Sequence, residues 1–481
     1  MTQLEVVSRP PNRSAGSLEE RRRALFLEGS PYAPAYRSDI VGVEEVLERV
    51  DDVLHVLVHA DRYAEAGSRL EPGILLTGPP GTGKTLAARY LATASGALFV
   101  DARAFPTAER ALAPEDVSAL FRHAREARAE HGRPVVLFWD ELDAVCPASG
   151  PWGKRATDVC SQLIAELDGI AGKAEGVLLV ACTNEPNALP PALRRRGRIG
   201  ITIPFQAPDL EGKALLLAHY ASGFACEEGI DYLRIASLLD PDRPASALEE
   251  IAAQAWREAV RRSIDESSEP TLCEDDLRRA ALDDVFGPRA HPRRSEETLL
   301  RTAVHEIGHA LLALRHGVAV RLVSCRQGAT FLGVTTTGED RGGPETIAQG
   351  LARLRIGLAG MLAEVEAGLG QGGGAQGDVF AATRIASGLV SYGVGASGLI
   401  FEPHALGDND GPSRSLPAVS EWLLSRVDAD AVALIEEAAS DVRSYLAEIG
   451  GEALLQLGQL LVERETLDGR ELEEAIGACR Q

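Results

Sequence analysis

No stretch of this 481-residue chain is apolar for long enough to cross a membrane. The longest apolar runs, Gly176 to Cys182 and Ala310 to Leu314, fall far short of the ~18 to 20 residues that a spanning helix needs. The sequence therefore predicts no direct membrane span. Paired cysteines are lacking as well. Cys146, Cys160, Cys182, Cys226, Cys273, Cys325 and Cys479 are scattered, odd in number and without CxxC spacing, as expected of reduced thiols in a cytoplasm. Positive charge is scarce: 49 Lys and Arg stand against 71 Asp and Glu, a formal net charge of -22. That balance opposes general attraction to nucleic-acid phosphates or to anionic lipid. The first residues, Met1 to Pro10, have neither a basic start followed by an apolar core nor a cleavage site, so secretion is not expected.

What the chain does contain is enough apolar sequence to build several cores. Its length predicts roughly three domains of about 150 residues, and 45% hydrophobic with 25% charged residues is ordinary for a folded soluble protein. Residues 1–37, rich in Pro, Ser and Arg, read as a flexible arm. Over 38–207, short apolar runs (Gly73 to Leu76, Ala97 to Val100, Val135 to Phe138, Val177 to Val180) alternate with helical patterns (Thr85 to Ala94, Val117 to Ala129). This predicts an α/β module with a parallel sheet flanked by helices. Over 208–286 the pattern is helical only, as in a small lid. Residues 287–295, with Pro288, Pro292 and a cluster of charge, read as a linker. Over 296–481 a mainly helical domain is expected. It begins with an amphipathic helix from Glu296 to Leu314, continues through a strand-like stretch from Val318 to Thr337, and is interrupted by the loop Gly368 to Gly374.

Two motifs bear the chemistry. The first is the loop Gly78, Pro79, Pro80, Gly81, Thr82, Gly83, Lys84, Thr85, which follows an apolar strand and opens a helix. Backbone amides and the helix N-terminus there favour phosphate oxygens, Lys84 reaches the terminal phosphates of ATP and Thr85 holds Mg2+. The run Val135 to Phe138 leads to Asp140 and Glu141. Asp140 would complete the Mg2+ site and Glu141 would polarise the attacking water, so the expected outcome is hydrolysis rather than binding alone. Asn184, at the tip of the strand from Val177, is placed to position that water.

The second motif is His305, Glu306, Ile307, Gly308, His309. Histidines four apart lie on one helix face and can meet one Zn2+ ion, with Glu306 beside them as base. A match to this pattern arises by chance in on the order of one in a hundred chains of this length, so the flanking helical residues and the phosphate loop upstream matter. A catalytic zinc needs a third protein ligand, and Glu364, Glu366 and Asp378 are the candidates. Asp378 could instead cap a helix from Val379 to Ser391.

The segment from Ala192 to Arg198 resembles the second region of homology of AAA ATPases. The resemblance implies that Arg198 is an arginine finger reaching a neighbouring subunit and that Arg195 is a nearby motif arginine; the second finger position is Ile201. Over residues about 38 to 478 the chain resembles the FtsH family of ATP-dependent zinc metalloproteases. The resemblance rests on the phosphate loop, His305 to Leu314, the Gly328 to Thr335 region, Gly360 to Glu364, Gly374 to Thr383 and Glu465 to Gly469. It implies that Asp378 is the third zinc ligand, that protein substrates are cut, and that the assembly is a homo-hexamer. Family members usually have transmembrane helices ahead of the ATPase, and the sequence reads as a cytoplasmic variant lacking them. The aromatic pore residue of the family aligns with Glu109, Arg110 and Ala111, Phe105 lying nearby, so cleavage of unfolded or loosely folded proteins is expected. The alternative is an AAA remodelling or regulatory ATPase whose zinc site is structural or weakly proteolytic. A DNA-associated motor is disfavoured by the charge.

Overall fold

The computed structural model describes residues 34–68, 71–102, 112–147, 153–170, 176–287, 294–327, 332–338, 346–370, 372, 375–395 and 421–479. Most of the arm, the pore-loop positions Phe105, Glu109, Arg110 and Ala111, and Gly328 lie outside them. The chain divides into two compact units, Met1–Ala280 and Ala281–Gln481. Among the described residues no helix is long and apolar enough to cross a membrane.

The first unit is built on five strands, β1 (Gly73–Thr77), β2 (Leu98–Asp101), β3 (Val135–Trp139), β4 (Val177–Thr183) and β5 (Ile199–Pro204), all parallel, in the order β2-β3-β4-β1-β5. Every residue of β1, β3 and β4 is buried, because helices cover both sheet faces. That double cover explains why these strands read as unbroken apolar runs. The alternation still shows in the packing. Leu75 joins the core formed with Val117, Leu120 and Phe121, while its neighbours Ile74 and Leu76 point the other way, into the core formed with Leu47, Val50 and Leu91. The helices of this α/β layer are α1 (Glu44–Val58), α2 (Ala60–Glu65), α3 (Lys84–Ser95), α4 (Pro114–His131), α5 (Leu142–Val145) and α6 (Gly153–Ile170). Strand β5 adds to the four apolar runs evident in the sequence. It is an edge strand beside β1, half-exposed and therefore without a continuous apolar run.

After Pro208 the unit is helical, as expected, with α7 (Leu210–Ala221), α8 (Tyr232–Leu238), α9 (Ala245–Glu266) and α10 (Glu274–Phe286). Asp209 and Asp231 start the first two by accepting from the amides of Gly212 and Arg234.

The second unit is organised by α11 (Glu296–Arg315), which Ser295 caps through the amide of Thr298. Its buried stripe, Ala303, Val304, Ile307, Ala310 and Leu311, packs in one core with residues of α12 (Ile347–Glu366), α13 (Gln376–Ser391), α14 (Glu421–Ile449), α15 (Gly451–Arg464) and α16 (Gly469–Cys479). The strand-like stretch resolves into β6 (Val320–Ser324) and β7 (Val334–Thr337). With β8 (Thr466–Asp468) they form an antiparallel sheet of order β7-β6-β8. Strand β8 is three residues long, too short for a periodic signal in the sequence.

Gly308 sets how closely α11 and α12 approach. A Cβ built on it would lie 2.6 Å from Ala363 Cβ and 2.7 Å from the carbonyl oxygen of Ala359. Neither neighbour is the mobile end of a long side chain, so the helices themselves must shift. We expect Gly308→Ala to destabilise this unit by ~1–3 kcal/mol, seen as an earlier loss of helical circular dichroism in urea. An unchanged transition would mean that the helices separate without cost.

Candidate nucleotide site and metal centre

The carboxyl ends of β1, β3 and β4 lie side by side. Thr77 pairs with Thr183, Trp139 pairs with Ala181, and the amide of Gly78 donates to the Thr183 carbonyl over 3.2 Å. The residues that follow each strand, the loop from Gly78, the acids Asp140 and Glu141, and Asn184, are brought together by that register. Gly78, Gly81 and Gly83 all have positive φ, at 135°, 74° and 94°. At Gly78 a Cβ would collide with the carbonyl of Phe205, so the loop needs glycine there twice over. Gly83 is the N-cap of α3 and supplies no side-chain cap, which leaves the first-turn amides turned toward the loop and open to phosphate oxygens.

Lys84 is buried, and its ammonium donates to the carbonyls of Gly78 (2.7 Å) and Pro79 (2.6 Å) and to Asn184 Oδ1 (3.1 Å). Desolvation lowers its pKa against the raising effect of Asp140. A cation held by neutral carbonyls in a loop of this shape is matched to a polyphosphate. Asp140 is half-buried, and its Oδ1 accepts from the amide of Glu141. Glu141 adopts φ 53° without being glycine, a conformation costing on the order of 1–2 kcal/mol. Strain of this kind clusters at functional sites.

Arg198 is engaged within its own chain. Its guanidinium donates to both oxygens of Asp168, at 2.7 and 3.0 Å, and to the carbonyl of Ala192 at 2.7 Å. The turn that bears it is held by Glu71, whose carboxylate accepts from the Gly197 amide over 2.6 Å. Arg195 is exposed, and Ile201 lies on β5 opposite Ile74. Asp168 and Glu71 have no motif to mark them in the sequence; each is far from the arginine run along the chain, and only the fold juxtaposes them.

In the second unit, one turn of α11 places His305 and His309 on a common face. Their Nε2 atoms lie 3.1 Å apart. Asp378 Oδ2 is 2.9 Å from His305 Nε2 and 3.7 Å from His309 Nε2. The three residues form a group whose ligand atoms lie within 4.8 Å of one another. The far side of each imidazole is fixed. His305 Nδ1 lies 2.7 Å from Glu364 Oε1, and His309 Nδ1 lies 2.7 Å from the Ile356 carbonyl. Both partners are acceptors, so each neutral ring keeps its proton on Nδ1 and turns the Nε2 lone pair inward. Two lone pairs and a carboxylate then face one another with no donor between them, an arrangement that calls for a cation. Without a metal ion the same acids favour a second proton on His305: burial alone would lower its pKa, yet Asp378 and Glu364 raise it to about 10, so a proton or a metal ion fills the space.

Gly360 of α12 keeps this space clear, since a Cβ there would lie 2.5 Å from His309 Nε2 and 2.6 Å from His305 Nε2. The donor set and the clearance both fit a zinc ion. Of the three acids that the sequence offers, only Asp378 joins the histidines' inner face. Glu364 stands behind His305, where its other oxygen accepts from Arg301 (3.3 Å) and from the Gly372 amide (3.0 Å). Glu366 is exposed at the end of α12. The helix-cap alternative for Asp378 does not hold: the cap is Ala375, and Asp378 lies inside the first turn of α13. Glu306 is buried beside the ligands, and burial raises its pKa against the opposing pull of both histidines. Arg301 carries no signal in a single sequence, and Gly360 none beyond its place in the segment Gly360 to Glu364; their roles depend on how α11 and α12 cross.

Residues 74–207 match the family described as "ATPase family associated with various cellular activities (AAA)", and residues 293–475 match "Peptidase family M41". The ATP-dependent zinc metalloprotease FtsH 2 of Symbiobacterium thermophilum is 33% identical over 97% of this chain and 78% of its own length. FtsH 1 of Thermomicrobium roseum is 31% identical over 96% of this chain and 71% of its own. FtsH 2 of Sphaerobacter thermophilus is 32% identical over 96% and 69%. With a phosphate loop in one unit and a His, His, Asp cluster in the other, the chain belongs to the FtsH family of ATP-dependent zinc metalloproteases.

Proposed function

We propose that the protein hydrolyses ATP and uses Zn2+ to cleave unfolded or loosely folded polypeptides, with His305, His309 and Asp378 as metal ligands and Glu306 as general base. The observation that supports this most is the convergence of three lone-pair donors beside one buried carboxylate. When bound, zinc supplies Lewis-acid polarisation of a peptide carbonyl and lowers the pKa of a water to about 7. The chain's own residues supply the rest. Glu364 holds the proton of His305 on Nδ1 and so orients the ring. Glu306 takes a proton from the attacking water and returns it to the departing amine, a task suited to a carboxylate whose pKa burial has raised.

At the nucleotide site, Lys84 exchanges the carbonyls of Gly78 and Pro79 for the terminal phosphates, and Thr85 and Asp140 hold Mg2+. Glu141 orients the attacking water with Asn184 beside it. Arg198 is the finger offered to a neighbouring copy in a homo-hexamer. We place the ATPase in 38–207, its lid in 208–286, a linker in 287–295 and the peptidase in 296–481. The excess of acid over base argues against a nucleic-acid partner, and we assign the protein to the cytoplasm.

Three measurements test these roles. Glu306→Gln should slow casein cleavage by about 100-fold or more while ATP hydrolysis stays nearly intact, and a zinc-selective chelator should do the same to the wild type. Equal cleavage in variant and wild type would remove Glu306 from the reaction. Asp378→Ala should strip zinc far more completely than Glu364→Ala, whose loss we expect to weaken metal binding by about 10- to 100-fold. A loss of metal confined to Glu364→Ala would exchange the two roles. Glu141→Gln should bind ATP, turn it over slowly and accumulate as an oligomer in light scattering; a monomer with ATP bound would count against a site shared between subunits.

A further inference from the structure

One hydroxyl outside the ligand set reaches the carboxylate proposed as base. Thr335, on the edge strand β7, has its Oγ1 2.8 Å from Glu306 Oε2 and 2.9 Å from the Glu306 main-chain oxygen. Its single proton can serve one acceptor at a time. The carboxylate is the stronger of the two, because a charged acceptor roughly doubles the strength of the bond. Among the described residues no other donor reaches this carboxylate. Gly333, immediately before β7, lies against the same carboxylate. A Cβ on Gly333 would stand 2.9 Å from Glu306 Cγ, 3.0 Å from Oε1 and 2.7 Å from Thr302 Cγ2. The strand thus presents a hydroxyl to one carboxylate oxygen and an absence of side chain to the other.

We propose that Thr335 is a positioning residue for peptide hydrolysis: it clamps Glu306 Oε2 so that Oε1, lying over Gly333, is the oxygen presented to the attacking water. The inference rests on the assignment of Glu306 as base. A glutamate without the clamp retains its free side-chain torsions, and each departure from the productive rotamer removes the base from the reacting water. The ligands His305, His309 and Asp378 do not touch Thr335, so the clamp acts on the rate of the chemical step and not on metal binding.

The test uses the full-length, zinc-loaded protein and a short fluorogenic peptide. Thr335→Val keeps the shape of the side chain and removes the hydroxyl; kcat should fall about 10- to 100-fold with KM, zinc content and ATPase rate close to wild type. Thr335→Ser restores the hydroxyl and should recover most of kcat. Three results would overturn the proposal: unchanged kcat in Thr335→Val, a serine variant as slow as the valine variant, or a loss of activity that follows loss of zinc. Glu306→Gln run in parallel separates the two levels. If that variant cleaves as fast as wild type, the base assignment has failed and Thr335 falls with it; if only Thr335→Val does, the base stands and the clamp is wrong.

Discussion

Two imidazole lone pairs and a carboxylate turned toward one another inside a helical domain repel, and the packing of the second unit is arranged to hold them there. The alternatives open to the side chains are closed one at a time. His305 cannot rotate away without breaking its bond to Glu364, which is buried and itself fastened by Arg301 and the Gly372 amide. His309 is tied to a main-chain carbonyl of α12. Asp378 is fixed by its place in the first turn of α13, where the helix N-terminus also favours its negative charge. Without a metal ion one proton on His305 must serve both Asp378 and His309, and a buried acceptor left unserved costs on the order of 1–3 kcal/mol. A divalent cation cancels that cost, so folding and metal binding are linked: whatever stabilises the crossing of α11 and α12 also stabilises the site. Gly308 and Gly360 lie at that crossing, one allowing the helices to touch and the other leaving room between them for an ion.

Much of this is legible in the amino-acid sequence. The central strands β1, β3 and β4 stand out because double burial makes them continuous apolar runs, and α11 because its stripe has a helical period. The motif residues stand out because their spacing is local: Lys84 and Thr85 share one turn, as do His305 and His309. What stays hidden is of another kind. Strand β5 is a half-exposed edge whose only trace is the short alternation Ile199, Ile201, Ile203, and β8 is a three-residue segment too short to show a period. Arg301, Gly360, Thr335, Glu71 and Asp168 matter only through neighbours far along the chain, in contacts created by helix crossing and strand register. The residues alone do not choose between Asp378 and Glu364, and only the family resemblance points to Asp378. Both are acids at plausible distances along the chain; what separates them is which nitrogen of His305 each one meets, Nε2 for Asp378 and Nδ1 for Glu364.

The nucleotide site shows a second way in which a fold stores function. Main-chain pairing of β1, β3 and β4 puts the phosphate loop, the acid pair and Asn184 at one sheet edge, so the alignment survives sequence change on the surface. The cost of the arrangement falls on the backbone. Glu141 is left-handed where an unstrained residue would not be, and the phosphate loop passes so close to Phe205 that only glycine fits at Gly78. The strand ends are rigid because the sheet is buried on both faces. That rigidity keeps the Glu141 backbone in place, and a carboxylate proposed to orient water beside a phosphate would gain from being held there before either arrives.

Arg198 bears on how such a site communicates. In a single chain it is bound to Asp168, an ion pair with good fork geometry that nonetheless lies at the surface, the two side chains being 22% and 51% exposed. Exposed pairs of this sort contribute roughly 0–1 kcal/mol. In the proposed finger role, a terminal phosphate of a neighbouring copy, with more charge and less competing water, would be a stronger partner for the same guanidinium. Leaving Asp168 would therefore cost little, although the bond to the Ala192 carbonyl must be given up as well; Asp168 lies in the last turn of α6, whose Val159, Cys160, Leu163 and Leu167 pack in the core with β3. The Glu71 bond to the Gly197 amide holds the turn independently of the Arg198 side chain. The finger role proposed for Arg198 would then fall on a side chain that must first give up Asp168 and the Ala192 carbonyl, with Ile201 offering no second arginine.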